Sequence, residues 1–305
     1  MISNAVLEAI KGFVPSENMH IQETMAAHTT FRVGGPVDCM VEMENTEQVS
    51  KIQKYLNAVG IPYTVLGNGS NVLVSDKGYR GVVLQVGQRM NEIRVEGNKV
   101  IAGAGALLSR VARVAMEHSL TGMEFASGIP GTVGGGVVMN AGAYGGEMKQ
   151  IVSTVICVNP AGDVLELENE TMEFGYRQSV LRHQKFVVTE VSFELKPGNK
   201  EEIKAVMDDL AAKRREKQPL EYPSAGSTFK RPEGYFAGEL IMKAGLRGFQ
   251  IGGARVSDKH CGFVINAGDA TAADIVNLIH EIQNRVKEMF HVDLEPEVVF
   301  LGDFE

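Results

Sequence analysis

The sequence has no tryptophan at all, few cysteines and few prolines: three and 10 in 305 residues. The missing tryptophan excludes no function. The cysteines (Cys39, Cys157, Cys261) are odd in number and far apart, which excludes a disulfide framework and any cysteine-based metal spacing and points to a reducing cytosol. The seven histidines also lack metal spacing, so no metal is expected, and His260 and His291 read as ordinary residues. No uninterrupted apolar run approaches the roughly 20 residues that span a bilayer. The start, MISNAVLEAIKGF, has no basic segment ahead of a long apolar core, so no secretory signal is expected. Positive charge is not in excess. The net charge of −8 excludes general affinity for nucleic acid or anionic membrane, while leaving room for a local basic pocket for a phosphorylated small molecule. No internal repeat, low-complexity segment or obligate protein partner is evident.

What the sequence does have is glycine, 34 residues, in a composition otherwise ordinary for a globular protein of two or three domains. The densest run is Ser127–Gly146, SGIPGTVGGGVVMNAGAYGG, with apolar residues between the glycines and no charge. It reads as neither helix nor ordinary strand. Glycine lets backbone approach a ligand, and successive amides form a concavity suited to anions. Linkers are polar and serine-rich, so this run reads as a cradle for a large phosphate-bearing cofactor. A second loop, LGNGSNVLVSD at 66–76, adds glycine and amide side chains. Neither loop fits the dinucleotide fingerprint, and there is no Walker A lysine.

Taken in order, the pattern predicts a helix over 3–13, a strand over 37–43, a helix capped by Asn45 or Thr46 and a strand over 61–66. Short strands follow at 81–86, 92–96 and 99–102, with a turn at Gly97-Asn98. A helix carries Leu107, Leu108, Val111, Val114 and Ala115. Strands at 151–158, 164–167 and 186–195 come after the glycine run. Pro197–Asn199 reads as a domain boundary. Beyond it, one helix carries the stripe Ile203, Val206, Met207, Leu210 and Ala211. Another carries Ile275, Leu278, Ile279, Ile282, Val286 and Met289, and a strand is expected near 297–301. Without strict βαβ alternation the class is α+β. The expected domains are 1–197, in parts of about 1–80 and 81–197, and 198–305.

Six motifs, HTTFRVGG at 28–35, the loops at 66–76 and 127–146, FGYRQS at 174–179, SAGSTFKRP at 224–232 and LEPEV at 294–298, run in the order of the UDP-N-acetylenolpyruvoylglucosamine reductase family. The resemblance covers essentially the whole chain. It implies a flavin domain of the vanillyl-alcohol-oxidase (p-cresol methylhydroxylase) type over 1–197 and a substrate domain over 198–305. It implies tight, non-covalent FAD, with NADPH as co-substrate and UDP-N-acetylglucosamine enolpyruvate as substrate, in the cytoplasm. The expected FAD contacts are Leu66, Gly67, Asn68, Gly69, Ser70, Asn71, Ser127, Gly128, Ile129, Pro130, Gly131, Thr132, Gly134, Gly135, Asn140, Ala141, Gly142 and Ala143.

The family reaction leaves anionic character at C2 of the enolpyruvyl group, which needs positioned positive or hydrogen-bonding groups and then a proton. The resemblance gives these roles to Arg177, Ser227 and Glu297. On its own, Arg177 reads more readily as a salt-bridge residue and Ser227 as a turn serine, while Glu297 reads as a solvent-facing strand carboxylate no different from Glu295. Lys217, in a basic helix end favoured by the helix dipole, is a candidate for the substrate diphosphate, and Tyr144 for substrate contact or packing. Two departures stand out. The span from Arg177 to Ser227 is too short for the extra lid loop of one subtype, and Val299 stands where many members carry arginine. Another FAD-dependent oxidoreductase of this fold, or a non-enzymatic flavin module, is the alternative.

Overall fold

Residues 2–182 and 184–304 are described in the computed structural model. They form two compact units that interleave along the chain. The first takes residues up to Gln22, Asp38–Asn68 and Arg80–Ala212; the second takes Glu23–Val37, Gly69–Tyr79 and the chain from Lys213 onward.

In the first unit, the helix Asn4–Lys11 is capped by Ser3, and the helix Thr46–Ala58 by Asn45, whose Oδ1 accepts from Gln48 N at 2.9 Å. Four strands form one sheet in the order Met19–Ile21, Val37–Glu42, Tyr79–Gln85, Tyr63–Leu66. Val37–Glu42 is interior to this sheet and almost entirely buried, so its apolar residues do not mark a single face. Five further strands form a second, wholly antiparallel sheet in the order Val164–Glu168, Val152–Val158, Val187–Glu194, Lys99–Gly103, Ile93–Glu96. The helix Leu108–Glu117 buries Leu108, Val111, Ala112 and Ala115 in the core they share.

The glycine run departs from expectation. Val133–Val138 is a short helix capped by Thr132, and Gly142–Ala143 pairs with Gly146–Glu147 in a small hairpin. Glycine costs about 1 kcal/mol relative to alanine in a helix, but here it permits close packing. A Cβ on Gly134 would lie 3.0 Å from Ala104 Cβ, and one on Gly136 2.9 Å from Leu108 Cδ1. The helix Lys200–Lys217 also differs: of its expected stripe only Ile203 is buried, and Val206 is 48% exposed. The units therefore part within this helix, at Ala212, and not at Pro197–Asn199.

In the second unit, a three-stranded antiparallel sheet, Gln250–Ile251, Ala254–Val256 and Val264–Asn266, shares a core with the helix Ala272–Phe290. Its Ile275, Leu278, Ile279, Ile282 and Val286 are buried, while Met289 is exposed. The segment 69–79 belongs here because Val72–Val74 pairs in parallel with Val299–Leu301. In addition, the Asp76 carboxylate accepts from Ala272 N and Ala273 N at 2.8 and 2.9 Å. The segment 23–37 joins through Phe31 and Val33 in the core and Asn266 Nδ2 donating to the Phe31 carbonyl at 3.1 Å. Among the described residues no helix is long and apolar enough to cross a membrane.

Candidate active site

In the first unit the strand Tyr63–Leu66 delivers Gly67 and Asn68 to the glycine run. Asn68 Nδ2 donates to the Pro130 carbonyl at 2.6 Å, fixing one loop to the other. Gly67 packs so closely on Thr132 that a Cβ would lie 2.3 Å from Thr132 Oγ1. Gly131 and Thr132 are buried, yet among the described residues neither backbone amide has a protein acceptor; the amides of half-buried Gly67 and exposed Asn68 lack one too. Buried amides without partners are rare in folded proteins. Two in succession, beside the acceptor-free amides of the closely packed Gly67 and of Asn68, fit the diphosphate of a flavin nucleotide. Ser127 is tied locally, Oγ to the Glu124 carbonyl at 2.7 Å. Gly128, Ile129, Ala141, Gly142 and Ala143 are part-exposed, while Pro130 and Gly135 are open to solvent. Leu66 is buried and Gly134 is packed against Ala104, so neither presents a side chain outward.

Arg177 stands on the same unit. Gly175 and Gln178 exchange backbone hydrogen bonds at 3.0 and 3.2 Å, closing a tight turn with Tyr176 and Arg177 at its tip. Arg177 takes the left-handed conformation, φ 55°, and its guanidinium lies 5.0 Å from the Tyr176 ring. Nη2 donates to the Gly142 carbonyl at 3.3 Å. The sequence-predicted arginine and the glycine hairpin are therefore brought together. Tyr144, at the hairpin tip, is 48% exposed, so it does not pack in the core. Asn140 is 1% exposed and its side chain is bound to protein through both nitrogen and oxygen, so its contribution is internal.

The second unit holds Gly69, Ser70 and Asn71. The Gly69 carbonyl accepts from Thr30 N at 3.1 Å, and a Cβ on Gly69 would lie 2.0 Å from the His28 carbonyl. The HTTFRVGG motif is thus the backing on which this loop rests. None of the amides of Gly69, Ser70 and Asn71 finds a protein acceptor among the described residues.

Ser227 and Glu297 come together on this unit. Thr228, fully buried, donates its amide to the Gly262 carbonyl at 2.9 Å and accepts Glu297 N on its own carbonyl at 2.8 Å. Asn71 Nδ2 donates to the Glu297 carbonyl at 3.1 Å. Ser227 is exposed at the edge of this lattice, next to Gly226 at φ 76°. Val299 is exposed and holds the Asn71 carbonyl through its amide at 3.0 Å, a backbone role that its side chain does not affect. Lys217 ends its helix exposed. Sequence reasoning missed Thr228 and Thr30, because their partners are backbone groups far along the chain and no local pattern marks them.

The relatives decide the family. The family described as UDP-N-acetylenolpyruvoylglucosamine reductase, C-terminal domain, matches residues 218–301, and an FAD binding domain family matches 37–168. The UDP-N-acetylenolpyruvoylglucosamine reductase of Caldanaerobacter subterraneus subsp. tengcongensis is 49% identical over 99% of this chain and 100% of its own length. The chain belongs to the UDP-N-acetylenolpyruvoylglucosamine reductase family. The reductase of Staphylococcus carnosus is 47% identical over 99% of this chain and 98% of its own. The solved reductase of Thermus caldophilus superposes with a TM-score of 0.81 at 36% identity, covering 93% of this chain and 99% of that one. Alkyldihydroxyacetonephosphate synthase, at 15% identity and a TM-score of 0.51, shares the fold over 65% of this chain and 41% of its own. The reductase family thus carries here the vanillyl-alcohol-oxidase type of flavin domain that its motifs implied.

Proposed function

We propose that this protein reduces UDP-N-acetylglucosamine enolpyruvate to UDP-N-acetylmuramate with NADPH, through bound FAD, in the synthesis of peptidoglycan precursor. Family membership over almost the whole length is the observation that carries this reading. Bound FAD supplies hydride transfer, from NADPH and then to C3 of the enolpyruvyl group. The amides of Gly67, Asn68, Gly131 and Thr132, and those of Gly69, Ser70 and Asn71, are assigned to holding it. Flavin binding is thus read onto residues 1–197, and substrate binding onto 198–305 together with Tyr144 and Arg177.

The rest of the chemistry falls to side chains. A guanidinium offers five donors in a fixed fork and a positive charge, so Arg177 suits the substrate carboxylate and the charge that develops at C2. Ser227 Oγ gives its proton to C2; a hydroxyl is a weak acid, but a carbanion is base enough to take it. Glu297 orients the same centre, and its support by Thr228 and Asn71 favours that role. Tyr144 and Lys217 are assigned to the substrate, Lys217 to its diphosphate. The three cysteines are buried free thiols, which agrees with the reducing cytoplasm as the site of the reaction.

Ser227→Ala tests the assignment. General acid catalysis contributes about two to four orders of magnitude. In anaerobic stopped-flow, flavin reoxidation by the enolpyruvyl substrate is expected to slow by about 100- to 10,000-fold, while reduction by NADPH stays at the wild-type rate. Equal slowing of both half-reactions would mean that Ser227 is not the proton donor.

A further inference from the structure

Asn140 is a buried amide at the junction between the glycine run and the turn that carries Arg177. It takes a left-handed backbone, φ 42°. Its Nδ2 donates to the Gly175 carbonyl at 2.9 Å, the base of the Arg177 turn, and to Glu147 Oε2 at 3.2 Å. Its Oδ1 accepts from Lys149 N at 2.9 Å. Two residues along, the Gly142 carbonyl receives the Arg177 guanidinium. A second buried side chain acts in parallel: Ser179 Oγ donates to the Val138 carbonyl at 2.8 Å. The turn is therefore clamped on both sides of Arg177, and Asn140 sets the distance between its base and the carbonyl that orients the guanidinium.

We propose that Asn140 is a positioning residue for Arg177: it holds that guanidinium at the angle the reaction needs and touches no reacting atom itself. The chemistry of the position is demanding. The side chain must donate to a carbonyl and a carboxylate, accept from an amide, and sit at positive φ, which asparagine tolerates better than most residues. Aspartate has the same shape but turns a carboxylate toward Glu147 and the Gly175 carbonyl. Those neighbours disfavour its charged form and raise its pKa. Once protonated, it regains one donor while keeping the acceptor for Lys149 N.

The proposal rests on the reading of Arg177 given above, and its test separates the two. Misplacement of a positioned group by about 1 Å costs up to about 100-fold. In Asn140→Asp, flavin reoxidation by the enolpyruvyl substrate should slow by about 10- to 100-fold, with reduction by NADPH and flavin content unchanged. The ratio of this variant to wild type should rise as pH falls. In an Arg177→Ala background, Asn140→Asp should cost less than about twofold more, because residues acting through one group are not additive. Wild-type reoxidation with a flat pH ratio would overturn the proposal, as would equal slowing of both half-reactions. If Asn140→Asp does not fold, Ser179→Ala loosens the same turn and should slow the same half-reaction alone; no effect there would also overturn it. Normal reoxidation in Arg177→Ala itself would remove the role of Arg177, and with it the clamp's purpose.

Discussion

Gly67 shows how much of the candidate cofactor site depends on an absent side chain. Its α-carbon lies so near Thr132 that a methyl group would meet the hydroxyl at 2.3 Å. Thr132 cannot give way freely, since its side chain caps the helix Val133–Val138. It also stands next to amides that have no protein acceptor among the described residues. Gly67→Ala should therefore overpack this junction, at about 1–3 kcal/mol of stability in the apoprotein. Flavin affinity should weaken by about tenfold, or 1.4 kcal/mol. Urea unfolding and fluorescence titration of FAD check the two, and wild-type values for both would show that the close approach is dispensable. Gly67 and Asn68 were legible as candidates in the loop motif. The role of Thr132 as the neighbour setting their spacing was not, because the two loops are joined only in three dimensions. Nor was the internal role of Asn140, which composition alone reads as one more polar group in a ligand loop.

Among the elements, the helix Ala272–Phe290 was the most legible, and the reason is physical. Its apolar residues recur at helical spacing, and five of those expected are buried. Its start is fixed by Thr271 and Asp274, each accepting from the other's amide at 3.0 Å. The Thr271 amide, against the opposing effect of burial and with further help from Gly253 N, holds the Asp274 carboxyl below the usual carboxylate range. A depressed folded-state pKa stabilises the protein above the unfolded value and ceases to do so as pH falls through the folded one. Asp274→Asn should thus cost about 0.3–1 kcal/mol at neutral pH. The difference should fade as pH drops below about 4, as chemical denaturation across pH would record. A deficit that persists in acid would place the effect in packing instead of charge. The helix Lys200–Lys217 was legible as a helix but not in its burial, since periodicity shows that a face exists and not that anything covers it. The helix within the glycine run was hidden because propensity counts glycine as a breaker, whereas close packing on Ala104 and Leu108 rewards it here.

For the molecule as a whole, the α+β class, the family and the motif order were readable from the sequence, while the interleaving of two compact units was not. The parallel pairing of Val72–Val74 with Val299–Leu301, and the capping of Ala272 by Asp76, join segments about two hundred residues apart. Local patterns carry no trace of such partners. On the proposed reading, the whole molecule passes electrons from NADPH to an enolpyruvyl ether. An anaerobic titration of the purified wild-type protein tests it most directly. The flavin colour should be lost on adding NADPH and return in full, without oxygen, on adding UDP-N-acetylglucosamine enolpyruvate in an amount equal to the reduced flavin. Colour that returns only when air is admitted would contradict the account.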